Sequence, residues 1–300
     1  MAFHNINYII YIMKRLFIIN PKSGKNNRAS ELEQIIKTQF YDADIVFTKA
    51  AGHATKLVAN AVKQNYEQVI VAGGDGTINE AASSLVGTKT ALGVIAFGSG
   101  NGLAREIGCP LDNLQKACNN IYMAKPVLCD IGKANGEYFL NVAGIGLEAT
   151  IAHAFANVKT RGMLPYFKIG FTQVLKYKAP KVEVWADDKS LIFLNPTTLV
   201  FANGKQYGSN FKIAPQASLT DGKLDMVYIE EQPLWKLALG FPNFFKPNFT
   251  SVKLTKSRTI KKAVITGQGK FVYHLDGEPK QATDKLEIEV LPKAIHLLIS

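Results

Sequence analysis

The sequence predicts a two-part fold: an α/β half with a parallel sheet covered by helices on both faces, then a half of short antiparallel strands forming a sandwich or barrel-like body. Two patterns carry this expectation. Up to Lys125, apolar strand-like runs alternate with helical ones, the βαβ arrangement that forces parallel pairing. Beyond Lys125, short β-rich runs with turns between them take over, interrupted by helical stretches at roughly 147–177 and 233–241. Composition sets the scale: 300 residues, 47% hydrophobic and 20% charged, suit two globular domains and exclude a disordered chain or a fibre. The expected division is 1–128 for the α/β half and 129–300 for the strand-rich half.

Taken in order, Arg15–Asn20 (RLFIIN) is a short apolar strand, and Ser30 with Glu33 forms a capping box that opens a helix to about Phe40. Asp44–Thr48 is a second strand, followed by an Ala-rich helix from His53 to Gln64. Gln68–Ala72 reads as a buried strand running into GGDGT, with a helix from about Thr77 to Leu85. Ala91–Phe97 runs into GSGNG, and helices follow near Leu103 and from Asp112. The later strands are expected at Val127–Ile131, Tyr138–Val142, Val182–Ala186, Leu191–Leu194, Thr198–Ala202, Lys223–Ile229, Val252–Thr255, Thr259–Ile265, Lys270–Leu275, Lys285–Val290 and Ile295–Ile299.

Several classes are set aside. No run approaches the ~18 consecutive apolar residues of a membrane span, and the first residues lack the small-residue cleavage site of a signal peptide. Cys109, Cys118 and Cys129 are odd in number and lack CxxC spacing, so neither a disulfide framework nor a zinc cluster is expected, and a cytoplasmic setting fits best. The net charge of +11 is concentrated. Six Lys/Arg and no acid lie between Ala149 and Val182, and eight with no acid lie between Gln232 and Leu275, while the rest of the chain carries 21 bases against 24 acids. That distribution points to an anionic surface; nucleic acid is not expected, because no recognition module accompanies the charge.

Three of the expected parallel strands end in loops rich in Gly, Ser or Lys: Asn20-Pro21-Lys22-Ser23-Gly24-Lys25, Gly73-Gly74-Asp75-Gly76-Thr77 and Gly98-Ser99-Gly100-Asn101-Gly102. Ligands of parallel sheets bind at the carboxyl ends of strands, where glycines admit close approach and helix starts attract anions. Together the loops suit a polyphosphate. Asp75 would repel one unless a cation lay between, so Mg²⁺ is expected with it. No GxxxxGK[ST] occurs, which excludes a conventional P-loop; GIGLEA at 144–149 mimics a dinucleotide fingerprint, but the next acid is Glu183.

NPKSGK, GGDGTINE, GSGNGLAR, DIGKANGEYFLNVAGIG, DGKLD and HLDGEP occur in this order across nearly the whole chain. In this the sequence resembles the diacylglycerol kinase catalytic-domain superfamily, which includes bacterial lipid kinases and the sphingosine kinases. GGDGT alone is shared with NAD kinases; DGKLD and LDGEP favour the lipid kinases. The resemblance implies a three-layer α/β domain and a β-sandwich with ATP in the cleft between them. Asn20, Pro21, Lys22, Ser23, Gly24, Lys25, Thr48, Gly73, Gly74, Asp75, Gly76, Thr77, Ile78, Asn79, Glu80, Ser99 and Asn101 would form the nucleotide site. Asp75 and Asp130 would join a water-mediated Mg²⁺ network, and Asp221 with the carbonyls of Ser218 and Lys223 a structural metal site.

Within HLDGEP, Asp276 is the expected base for the acceptor hydroxyl, with Glu278 the alternative. His274 shares the face of Asp276 on an alternating strand, and His53 stands at a helix start near the phosphate loops. One departure stands out: many glycerolipid members carry Asp after the Asn of the third loop, where this chain has Gly102. The function expected is transfer of the γ-phosphate of ATP to a lipid hydroxyl. Weighed beside it are a soluble acceptor such as NAD and a binding protein without turnover. The partners expected are a membrane lipid and an anionic inner membrane surface, met through Pro233–Phe249 and Lys253, Lys256, Arg258, Lys261 and Lys262. A homodimer is allowed but not specified.

Overall fold

The structure, a computed structural model, describes residues 13–24, 28–156, 163–187, 190–208, 211–233, 235–236 and 255–300. Lys25, Lys253 and most of the expected docking segment lie outside them; Pro233, Trp235 and Lys236 lie within.

In the first half, β1 (Arg15–Ile19), β2 (Asp44–Phe47), β3 (Gln68–Gly73) and β4 (Ala91–Ala96) form a parallel sheet in the order β2-β1-β3-β4. Every residue of β3 and β4 is buried, as unbroken apolar runs demand when helices cover both faces of a sheet. The helices pack in pairs, α1 (Arg28–Gln39) with α5 (Leu114–Met123) and α2 (His53–Lys63) with α3 (Asp75–Leu85). The short α4 (Gly102–Glu106) follows the third glycine loop.

Two long strands dominate the second half. β15 (Lys262–Leu275) and β16 (Glu278–Ile299) form an antiparallel pair joined by the turn at Asp276 and Gly277. The cleft end of β15 pairs with β7 (Val142–Gly146), which continues through β10 (Pro196–Ala202) and β13 (Leu224–Glu230) to β14 (Lys256–Ile260). Its other end pairs with β8 (Val182–Ala186), which pairs with β9 (Ser190–Leu194). The apolar faces of these strands, including Ile145, Val184, Phe201, Met226, Ile265 and Leu286, enclose a second core. The opposite face around His274 and Gly144 is covered by α6 (Leu147–Ala156) and by the segment holding β11 (Gln206–Gly208) and β12 (Phe211–Lys212). A further helix, α7 (Met163–Lys176), packs on α6.

Beyond residue 128 the chain does not leave the first half behind. The last turn-free stretch of β16 pairs in parallel with β4 and antiparallel with β5 (Lys125–Ala134), placing Ile295, Leu297 and Leu298 in the first core. The expected strand Tyr138–Val142 is instead split into β6 (Glu137–Phe139) and β7, and the runs expected separately at Lys285–Val290 and Ile295–Ile299 are one strand. The split has a cause: the amides of Leu140, Asn141 and Val142 turn to the Asp276 carboxylate. The hairpin β11–β12 had no counterpart among the expected elements.

Candidate active site

The three glycine loops meet at the carboxyl ends of β1, β3 and β4. Gly74 precedes α3, and Gly98 lies so close that a Cβ on it would fall 2.8 Å from the Gly74 Cα. A Cβ on Gly24, at φ +84°, would fall 2.9 Å from the Phe97 carbonyl oxygen. Only glycine fits such backbone-to-backbone contact. The Asn20 side-chain amide donates to Thr77 Oγ1 at 2.9 Å and its Oδ1 accepts from the Lys22 amide at 3.0 Å, tying the first loop to the start of α3. Pro21, Lys22 and Ser99 stand exposed on these loops. Thr48 is buried and held by its amide to Ile19, while Glu80 accepts from the Gly52 amide at 2.8 Å, which fastens α3 to α2. His53 Nδ1 accepts from the Lys49 amide at 3.1 Å, a local turn bond.

Asp75 opens α3, and its two carboxylate oxygens accept from the amides of Asn101 (2.8 Å) and Gly102 (2.7 Å). Gly100 leaves room for it, since a Cβ there would meet Asp75 Oδ2 at 2.7 Å. Burial pushes the Asp75 carboxyl above its ordinary range, opposed by those amides and by Arg105. Gly102 also has a structural reason to be glycine, because a Cβ would meet Asn141 Nδ2 at 2.7 Å and the Tyr207 carbonyl oxygen at 2.9 Å. An Asp at this position would need the β11 segment to move away.

From the second half, Asp276 reaches the same place. It sits at φ +49° in the β15–β16 turn, and its carboxylate accepts from Leu140 (2.7 Å), Asn141 (2.8 Å) and Val142 (2.9 Å) amides. Burial, with the negative charge of Asp75, raises its pKa to about 6 against those three bonds. Asp75, Ile78, Leu103, Leu140, Asn141, Tyr207 and Asp276 line one small cavity. Glu278 stands differently. Its carboxylate is about half exposed, lies 3.1 Å from where a Cβ on Gly76 would be, and is 3.9 Å from Lys280 Nζ. It therefore lies over the first turn of α3, beside the phosphate loops.

The oxygen donors around Asp75 suit a hard cation. Asn101, whose backbone amide donates to Asp75, has its Oδ1 buried without a hydrogen-bond partner, and the Asp75 carboxylate is an acceptor only. Asp130 is used elsewhere: its carboxylate accepts from Gly222 (2.6 Å) and Lys293 (2.8 Å) amides. It thereby braces the 218–223 turn, where Asp221 Oδ1 accepts from the Lys223 amide at 3.0 Å and Ser218 Oγ from the Thr220 amide at 3.3 Å. The structure thus brings Asp75 together with Asp276, and Asp130 together with Ser218, Asp221 and Lys223. Asn203 links the groups, donating to the Asp130 and Leu140 carbonyls.

Asn141, Tyr207, Arg105, Asn203 and Glu148 are participants that motif reading passed over. Asn141, Arg105 and Glu148 lie inside the quoted FLNVAGIG, GSGNGLAR and GIGLEA; Tyr207 and Asn203 carry no local signal. Behind the cavity, His274 is buried against Tyr207, and its Nδ1 accepts from the Gly277 amide at 3.2 Å. Burial, with the charge of His153, lowers its pKa to about 4. Glu148 accepts from Thr198 Oγ1 at 2.9 Å, and burial raises its pKa to about 8. Both side chains converge on Gly144, where a Cβ would meet His274 Nε2 at 2.5 Å and Glu148 Oε1 at 3.1 Å.

Comparison with known proteins agrees with this architecture. The family model described as "Diacylglycerol kinase catalytic domain" matches residues 14–134, and that described as "YegS C-terminal NAD kinase beta sandwich-like domain" matches residues 141–299. The chain is 33% identical over 235 residues to the "Diacylglycerol kinase" of Bacillus subtilis (strain 168), covering 74% of this chain and 76% of that protein. It is 29% identical to the "Probable lipid kinase YegS-like" of Pectobacterium atrosepticum, over 94% of both. The crystal structure of a diacylglycerol kinase from Bacillus anthracis str. Sterne superposes with a TM-score of 0.72 at 22% identity, covering 96% of this chain and 97% of that one, so the fold is shared. With a parallel α/β half, an antiparallel β half and both matching models, the chain belongs to the diacylglycerol kinase and YegS-like family of lipid kinases.

Proposed function

We propose that this chain transfers the γ-phosphoryl group of ATP to the hydroxyl of a membrane lipid. The observation that carries this reading is the meeting of three backbone phosphate loops with Asp75, Asp276 and Glu278 at the junction of the two halves. Kinases of this family use ATP, and the amides that open α3 suit its phosphates. Asp75 and Asn101 Oδ1 would hold Mg²⁺, which supplies neutralisation of phosphate charge; Asp221 with the carbonyls of Ser218 and Lys223, braced by Asp130, would hold the structural metal.

The two carboxylates of the turn divide the work. Three amide bonds commit Asp276 to holding the turn, which makes it the positioning residue. Glu278 keeps an available carboxylate beside the loops and is the better base: it would take the acceptor proton as the lipid oxygen attacks the γ-phosphorus and the bond to the bridging oxygen breaks, releasing ADP. The reading that Asp276 is itself the base is thereby given second place.

The setting is the cytoplasmic face of an anionic membrane. None of the described helices is long and apolar enough to cross a bilayer, so the lipid would be met at a surface. Trp235 is exposed with Lys236 Nζ 5.6 Å from its ring, the pairing an interface favours. The test is transfer of labelled γ-phosphate to defined lipids in mixed micelles, with a diacylglycerol, a sphingoid base and NAD as parallel acceptors. Transfer to either lipid that requires Mg²⁺ supports the reading; transfer to NAD without lipid would sink it.

A further inference from the structure

His274 stands directly opposite Gly144 where β15 pairs with β7, and opposite Pro279 where β15 pairs with β16. Its buried imidazole lies across the space that a side chain on residue 144 would fill, since a Cβ there would fall 2.5 Å from Nε2. The two ring nitrogens have different tasks. Nδ1 accepts from the Gly277 amide at 3.2 Å. A ring nitrogen that accepts carries no proton, so the imidazole is neutral and its proton sits on Nε2. Nε2 faces the same point above Gly144 as Glu148 Oε1, which lies 3.1 Å from that point and is buried without a hydrogen-bond partner. The other oxygen of Glu148 is fixed by Thr198, so α6 presents a buried acceptor on the side of the Nε2 proton.

The amide that His274 holds lies between the two carboxylates of the turn. Asp276 at φ +49° and Gly277 at φ +85° are the two left-handed residues of the hairpin, and Leu275 pairs with Glu278 across it. Asp276 is held from the side of β7: its carboxylate accepts three amides and its own amide donates to the Val142 carbonyl at 2.8 Å. Those bonds stop at Asp276. The next amide, that of Gly277, is tied to His274, and the orientation of this peptide sets the direction in which Glu278 leaves the turn, over the first turn of α3. Aim matters here, because a misplacement of ~1 Å in a reacting group can cost on the order of 100-fold in rate.

We propose that His274 is the positioning residue of the catalytic turn: with its proton on Nε2, its Nδ1 fixes the Gly277 peptide and thereby aims Glu278 at the acceptor hydroxyl. The proposal rests on the reading of Glu278 as the base.

The test compares H274L, H274N and E278Q with the unmodified chain in transfer of labelled γ-phosphate to lipid in mixed micelles, with thermal unfolding of each. H274L should lower kcat on the order of 10–100-fold while KM for ATP stays near that of the unmodified chain. H274N, whose Oδ1 takes the place of Nδ1, should recover most of that rate. A merely structural role would lower the unfolding midpoint of H274L and leave the kcat of its folded fraction unchanged, which would overturn the proposal; so would equal loss of kcat in H274L and H274N. E278Q separates the two readings: normal turnover in E278Q refutes Glu278 as the base, whereas lost turnover in E278Q beside normal turnover in H274L refutes the positioning role alone. A second measurement needs no turnover. Nitrogen NMR of the full chain with isotope-labelled histidine, with the His274 signal assigned by its loss in H274N, should show a neutral ring protonated on Nε2. A ring protonated on Nδ1 would overturn the proposal even if H274L does not fold.

Discussion

The two ends of β15 follow opposite rules. At the cleft end, polar groups are buried and heavily partnered: Asp276 accepts three amide bonds, and His274 lies behind it at 1% exposure. At the far end, Trp185, Leu191 and Phe193 are exposed on a hairpin whose outer strand pairs with β8 alone among the described residues. One strand thus ends in buried, hydrogen-bonded polar groups on one side and borders exposed apolar side chains on the other. The difference shows that burial alone does not mark function; the informative features are polar groups inside and apolar groups outside.

The largest effects should come from the cleft end. E278Q should lower kcat by roughly 10²–10⁴-fold while leaving KM for ATP and thermal stability near those of the unmodified chain. D276A should instead cost stability, about 3 kcal/mol or more, because it strands three buried amides. Calorimetry beside steady-state kinetics separates the two; retained turnover in E278Q would return the base to Asp276.

Next in size is G102A. The added Cβ has 2.7 Å to Asn141 Nδ2 and 2.9 Å to the Tyr207 carbonyl oxygen, so overpacking should cost about 1–3 kcal/mol in denaturant unfolding. An unchanged midpoint would mean that the β11 segment yields freely.

E148Q should sharpen the account of the buried face. Burial raises the Glu148 pKa from 4.5 to about 8, so its contribution to stability is fully present below pH 4.5 and is lost as pH rises through 8. The amide cannot ionise. The variant should therefore gain about 4 kcal/mol on the unmodified chain at pH 8 and nothing at pH 4, read from melting curves at both. His274 acts in the opposite sense, its contribution present above pH 6.5 and lost as pH falls through 4. The smallest effect belongs to the far end: L191E/F193E should lower stability in denaturant unfolding by about 1 kcal/mol, since Leu191 packs opposite Trp185 and Phe193 stands opposite Glu183.

Much of this site is written locally. Strand runs such as QVIVA, the glycines at their ends and Asp75 at a helix start follow from short-range rules, and the structure places them where those rules put them. The partners of the carboxylates do not. Asp276 lies 134 residues or more from the amides that hold it, and Asp130 lies 92 from Gly222 and 163 from Lys293. Nothing near Tyr138–Val142 announces that its amides will leave the ladder, and Tyr207 sits on a hairpin too short for periodicity to reveal.

The amino-acid sequence by itself determined the parallel sheet, the glycine loops, the change to antiparallel strands and the family, because each rests on the order of neighbouring residues and the spacing of apolar ones. The tertiary structure alone decided which carboxylates face one another, why residue 102 is glycine, and how the last strand returns to the first core. These depend on contacts between distant segments, which pattern along the chain does not encode.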